Sequence, residues 1–134
     1  MTTTPFAPLT GHQYMNLTTF RKNGQPVPTP VWFAQEGDRI YVVTLATSGK
    51  AKRIRANPRV QLTPSDARGK PLGETIEARA RILDPSEQDV GHRALAKKYG
   101  VMYWMFASFW KLRRLKPVFL EITPAMPGIE ASVS

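Results

Sequence analysis

The spacing of apolar and polar positions divides the chain into a strand-rich first part and a helical stretch near its end. Tyr14 to Phe20 is rich in strand formers, and Lys22-Asn23-Gly24-Gln25 follows with turn chemistry centred on Asn-Gly. Val27 to Ala34 resumes an extended run, so the segment predicts a β-hairpin. Pro28 and Pro30 donate nothing to a ladder, which makes the second strand an edge or an interrupted one. Glu36-Gly37-Asp38 is a second turn. Arg39 to Leu45, with Ile40, Val42 and Val43, is the clearest strand, giving three strands in a meander.

The character changes at Ser48, which can cap a helix that Asn57-Pro58 ends. Val60 to Thr63 restarts a strand, and Asp66 to Gly73 is a loop. Glu74 to Leu83 then alternates, with Ile76, Ala78, Ala80 and Ile82 on one face and Glu77, Arg79 and Arg81 on the other. Asp84-Pro85-Ser86-Glu87 has a cap, a proline at the first position and a glutamate three residues on. The predicted helix runs to Tyr99 and stops at Gly100. Val101 to Arg114 predicts another helix, and Pro117 to Ile122 a closing strand. About six short antiparallel strands with turn signals suggest a barrel or a sandwich, and the tight meander favours a barrel with helices over one end. One domain over residues 1–134 is expected, with 1–10 and 125–134 as loose termini.

Composition narrows the chemistry. There is no cysteine, which excludes disulfides, thiolate metal sites and a cysteine nucleophile. The first residues do not read as a signal peptide, and the longest apolar-rich stretch is too short to span a bilayer, so a cytoplasmic location is expected. His12 and His92 lack ligand spacing, and no metal site is predicted. Asp84 and Glu87 are explained by capping, and no nucleophile–base pair is evident. The 19 Lys and Arg against 10 Asp and Glu give a formal charge of +9. Such a balance suits nucleic acid, a membrane surface or a phosphate-bearing small molecule. The excess lies in two acid-free blocks, Gly49 to Arg59 and Gly91 to Lys116.

Three segments carry a family likeness. Thr19-Phe20-Arg21-Lys22-Asn23-Gly24-Gln25-Pro26-Val27, followed by Thr29-Pro30-Val31-Trp32-Phe33, resembles the opening hairpin of the deazaflavin-dependent oxidoreductases. These belong to the split-barrel superfamily of the pyridoxamine 5'-phosphate oxidase type. Ser48-Gly49-Lys50-Ala51-Lys52-Arg53 and the residues to Val60 resemble the same family's phosphate-binding turn and following strand, and Asp66 to Gly73 resembles a loop of one branch. The likeness covers roughly residues 14–85. It implies a six-stranded split β-barrel, a homodimer with cofactor sites at the interface, and either coenzyme F420 or FMN, with the F420 branch the nearer. It departs from true pyridoxamine-phosphate oxidases, whose arginine-bearing final strand has no match in Glu121-Ile122-Thr123-Pro124.

The expected cofactor-binding residues are Thr29, Pro30, Val31, Trp32, Thr44, Ser48, Gly49, Lys50, Lys52 and Arg53. A capped helix start offers free N–H groups and a positive dipole end, and Lys50 and Arg53 can share a face; a solvated basic face is the plainer account. Trp32 either lies beside the cofactor ring or packs in the barrel, and Thr44 is either a donor or an ordinary strand threonine. Tyr103 to Trp110 is core or dimer packing, a substrate-pocket roof, or, with Lys111, Arg113 and Arg114, a membrane-surface helix. Tyr14, Tyr41 and solvent are the candidate proton donors. The resulting expectation is an F420-dependent oxidoreductase acting on an unsaturated or conjugated small molecule. FMN is the alternative cofactor, and a nucleic-acid-binding barrel the alternative class.

Overall fold

The computed structural model describes residues 6–125. Seven strands alternate with three helices: β1 (Tyr14–Phe20), β2 (Pro26–Trp32), β3 (Ala34–Glu36), β4 (Arg39–Leu45), α1 (Gly49–Ala56), β5 (Arg59–Ser65), β6 (Ile76–Ile82), α2 (Gln88–Tyr99), α3 (Val101–Leu112) and β7 (Pro117–Pro124). They form one sheet in the order β2-β1-β5-β6-β7-β4-β3, with every neighbouring pair antiparallel. The two ends of that sheet, β2 and β3, are separated in sequence by Phe33 alone. The sheet therefore has to curl until its edges meet, and the result is the expected split barrel.

The strand count corrects the expectation of six. The predicted run Val27 to Ala34 is one strand in pattern but breaks at Phe33, because the backbone there is captured by α2 and not by another strand. The Phe33 N–H donates to Tyr99 Oη at 3.0 Å, and the Phe33 carbonyl accepts from Lys98 Nζ at 2.8 Å. Two side chains thus supply at the break what a ladder would have supplied. In β2, Pro26, Pro28 and Pro30 face Phe20, Thr18 and Asn16 of β1. Their alternation puts each missing N–H on the unpaired edge, where it also protects the sheet from edge-to-edge pairing.

Alternation fills the barrel. Met15, Leu17, Ile40, Val42, Val60, Leu62, Ala78, Ala80, Leu120 and Ile122 point inward with Phe33, and Ile54 of α1 packs onto them. Each fully buried Leu, Ile or Met contributes roughly 1.5–3 kcal/mol from removal of its apolar surface from water. A second cluster, Ala34, Tyr41, Leu83, Ala94, Leu95, Tyr99, Tyr103 and Phe119, joins the outer face of β4 and β7 to α2 and α3. Gly91 makes this contact close: a Cβ there would lie 2.9 Å from the Phe119 ring.

The expected loose arm is corrected over residues 6–10. Phe6 and Leu9 are fully buried in the barrel core, a 3₁₀ turn spans Ala7–Leu9, and Gln35 Nε2 donates to the Phe6 carbonyl at 3.2 Å. The remaining residues assigned to loose termini, 1–5 and 126–134, lie outside the described residues. The helix opened by Asp84 begins as a 3₁₀ turn at Pro85–Glu87, where the Glu87 carboxylate accepts the Asp84 N–H at 3.3 Å, and α2 follows from Gln88. Gly100, at φ +56°, ends α2 and turns the chain into α3.

Candidate functional site

The anchor of the site is the start of α1. Ser48 is extended, and its Oγ accepts the Ala51 N–H at 3.2 Å. Thr44, one turn earlier at the end of β4, donates its hydroxyl proton to Ser48 Oγ at 3.0 Å and so fixes the cap. The N–H groups of Gly49 and Lys50 have no partner among the described residues, as is usual in a first turn, and a first turn's N–H groups point out along the helix's positive end.

Two cations converge there. Arg53 curls back along its own helix: its Nε donates to Thr19 Oγ1 of β1 at 2.6 Å, and its Nη1 lies 2.8 Å from where a Cβ on Gly49 would be. Glycine at position 49 leaves that space to the guanidinium. Burial pushes the Lys50 ammonium below its usual pKa, and the neighbouring Arg53 pushes it the same way. The ion pairs of the described residues tie Arg39 and Arg81 to Glu121, Arg81 also to Glu87, Arg59 to Glu77 and Arg93 to Asp89. Lys50 and Arg53 have no carboxylate partner among them. Their positive charge is therefore available to an anion.

Lys50 stands at one end of a cleft of about 250 Å³ lined by Pro30, Val31, Trp32, Val43, Thr44, Lys50, Phe106 and Trp110. One wall is β2. Trp32 stacks on Tyr99 at 4.4 Å between ring centroids and 8° between planes, and meets Phe106 edge-on at 4.8 Å. The other wall is α3, where Phe106 and Trp110 are one turn apart. Trp32 and Phe106 thus meet at the border of the cleft, and an aromatic-lined hollow with Lys50 in its lining and Arg53 beside it suits a ring system carrying a phosphate.

The structure brings Pro30, Val31, Trp32, Thr44 and Lys50 to this cleft, with Ser48, Gly49 and Arg53 beside Lys50 at the helix start. Two of the expected residues are not placed there. Thr29 is not among the lining residues, and Lys52 is exposed on another side of α1, two residues and so more than half a turn from Lys50. Thr44 acts through the cap, since its proton is committed to Ser48. Trp32 both packs and lines. Neither tyrosine proposed as a proton donor lines the cleft: Tyr41 donates to Glu121 Oε2 at 3.1 Å in the second cluster, and Tyr14 sits at the start of β1. Val43 and the supporting Tyr99 are not singled out by the sequence, whereas Phe106 and Trp110 belong to the aromatic stretch for which a pocket roof is one of three readings. The four-residue spacing of Phe106 and Trp110 within the aromatic stretch is the signal that points to them.

Tyr99 has one hydroxyl proton and three neighbours. It accepts from the Phe33 N–H, and the Phe33 carbonyl is already served by Lys98. Its own proton therefore goes to the Gln13 carbonyl at 2.7 Å. Burial raises the Tyr99 pKa well above its usual value, so the group stays a neutral donor.

The family model described as pyridoxamine 5'-phosphate oxidase matches residues 6–125. No curated protein matches the sequence. Among solved structures, the heme storage protein HutZ from Vibrio cholerae superposes with a TM-score of 0.64 at 13% identity, over 87% of this chain and 84% of that one. An F420 reductase gives 0.57 at 21% identity, over 90% and 92% of the two chains. An FAD-binding protein from Mesorhizobium loti gives 0.61 at 21% identity, over 89% and 84%. At these identities the likeness is one of fold, and the three names differ in the ligand they mention.

Proposed function

The chain belongs to the pyridoxamine 5'-phosphate oxidase family, and from that premise we propose that its cleft binds a phosphorylated flavin-type cofactor, coenzyme F420 in the first place. The observation that carries this reading is an aromatic-lined cleft that includes Lys50, with Arg53 beside it and no carboxylate partner for either among the described residues, at a capped helix start. Lys50, Arg53 and the free N–H groups of Gly49 and Lys50 would hold the phosphate. Trp32, Val43, Phe106 and Trp110 would flank the ring. When bound, the deazaflavin supplies hydride transfer to or from an unsaturated or conjugated small molecule. The residues of this chain orient the ring and keep water off it. No side chain lining the cleft other than Lys50 titrates, so solvent is the proton source in this reading.

F420 is preferred over FMN because the basic block continues past the phosphate position. Lys52 and Arg55 are exposed and have no carboxylate partner among the described residues, which suits a cofactor with an anionic tail. A homodimer with its sites at the interface is part of the proposal. The cleft of about 250 Å³ falls short of the ~300–1,000 Å³ usual for small-molecule sites, and a partner would complete its open side. Oxidation of pyridoxamine phosphate is not proposed, since Glu121-Ile122-Thr123-Pro124 carries no arginine and Glu121 is tied to Arg81 and Arg39.

The test is a fluorescence titration of the purified protein with F420 and, separately, with FMN. Saturable binding of F420 at lower concentration than FMN is expected. Tighter FMN binding would transfer the reading to the flavin, and binding of neither would reject both.

A further inference from the structure

We propose that the outward face of α3 docks this protein on an anionic phospholipid bilayer. The helix is apolar on both sides. Tyr103, Ala107 and Trp110 face the second cluster, whereas Val101, Met105 and Leu112 lie on the opposite side with exposures of 75%, 66% and 81%, flanked by Met102, Trp104 and Phe109. A helix with apolar residues all round is ordinarily covered, and nothing in the described chain covers this side.

The charge around the face identifies the partner. From Gly91 to Lys116 there is no acidic residue, and Lys97, Lys111, Arg113, Arg114 and Lys116 are exposed with no ion pair among the described residues. Arg113 lies over the Phe109 ring at 5.6 Å, so its charge stays at the rim of the apolar stripe. An apolar stripe rimmed by Lys and Arg, with Trp104 at its border, matches the boundary between acyl chains and anionic headgroups. A second copy of this chain fits worse. A two-fold pairing of α3 helices brings the basic end of one helix against the basic end of the other, or against Lys97 and Lys98, with no acid from this stretch to offset it. Phe106 and Trp110 of the same helix line the cleft, so the cleft lies beside the docked face.

The experiment is co-sedimentation of the full chain with phosphatidylglycerol vesicles and with phosphatidylcholine vesicles, at low and at physiological salt. Two variants are compared, Met105→Gln/Leu112→Gln and Lys111→Gln/Arg113→Gln. All four side chains are exposed, so an unchanged thermal melt is expected for both. Wild-type protein should pellet with phosphatidylglycerol and far less with phosphatidylcholine, and each double variant should lower binding about tenfold or more. Absence of pelleting with phosphatidylglycerol overturns the proposal. So does equal pelleting of the Met105→Gln/Leu112→Gln variant, which would reduce the effect to general basic charge. Sedimentation velocity of that variant without lipid should give the wild-type mass; a smaller species would assign the face to a contact between copies and overturn the proposal.

Discussion

Arg53 is held at the entrance of its own helix by a single hydrogen bond to Thr19 and by the absence of a side chain at Gly49. Each charge-assisted bond to a phosphate is worth roughly 1.5–3 kcal/mol. The Lys50→Ala/Arg53→Ala variant should therefore weaken cofactor binding by about two orders of magnitude or more, read by the same fluorescence titration. Its circular-dichroism spectrum should match wild type. Tyr99→Phe keeps the ring that stacks on Trp32 but leaves the Phe33 N–H without its acceptor, at a cost of about 1–3 kcal/mol in urea denaturation. Lys98 makes the same break dependent on pH. Burial pushes its ammonium down to about 8, while the two carbonyls it serves and the Phe33 ring 3.7 Å away keep it charged near neutrality. Between pH 8 and its unfolded pKa of about 10.4 the unfolded chain holds the proton that the folded chain has released, so stability rises with pH across that window. Above pH 10 the buried tyrosines reverse the trend, Tyr103 being pushed up to about 12 and so favouring the folded state only while the unfolded tyrosine also stays protonated. Lys98→Met should flatten the rise between pH 8 and 10 in urea midpoints, leaving the part due to Lys50, which is shifted in the same direction.

At the scale of elements, α1 depends on its cap. Ser48→Ala removes the acceptor for the Ala51 N–H and the partner of Thr44, and should lower stability by about 0.5–2 kcal/mol. It should also weaken phosphate binding, since the free N–H groups lose their fixed orientation. Gly91→Ala tests the seat of α2. The added methyl meets the Phe119 ring, itself buried, so the helix has to lift, and a loss of roughly 1–3 kcal/mol in thermal or urea denaturation is expected. These elements differ in how far the sequence announces them. The turns at Asn23-Gly24 and Gly37, the Ser48 cap and the Asp84–Glu87 box are local, and local residue chemistry predicts them to within a residue or two. The Asp66–Gly69 loop is local as well: Asp66 accepts the N–H groups of Arg68 and Lys70, and Gly69 sits at φ +90°. The break at Phe33 is not local, because its cause is a pair of side chains 65 and 66 residues further along the chain. Phe6 reads as part of a proline-flanked arm, and only the closed barrel gives it a pocket to fill.

At the scale of the molecule, a small barrel with an open cleft gains from anything that binds only the folded state. Cofactor at one hundred times its Kd should stabilise the protein by about 2.7 kcal/mol, visible as a rise of several degrees in Tm. If a partner subunit completes the cleft, binding and dimerisation are linked. The apparent Kd should then tighten as protein concentration rises, a dependence that a site complete within one chain would not show. The two walls of the cleft differ in what else rests on them. Trp32 leans on Tyr99, and Tyr99 carries the backbone where β2 gives way to β3, so change on that side is felt through the whole barrel. Phe106 and Trp110 belong to a helix whose outer side is bare. Divergence of ligand preference within this architecture should therefore accumulate along α3, where a new side chain can reshape the slot without disturbing the seam that keeps the barrel closed.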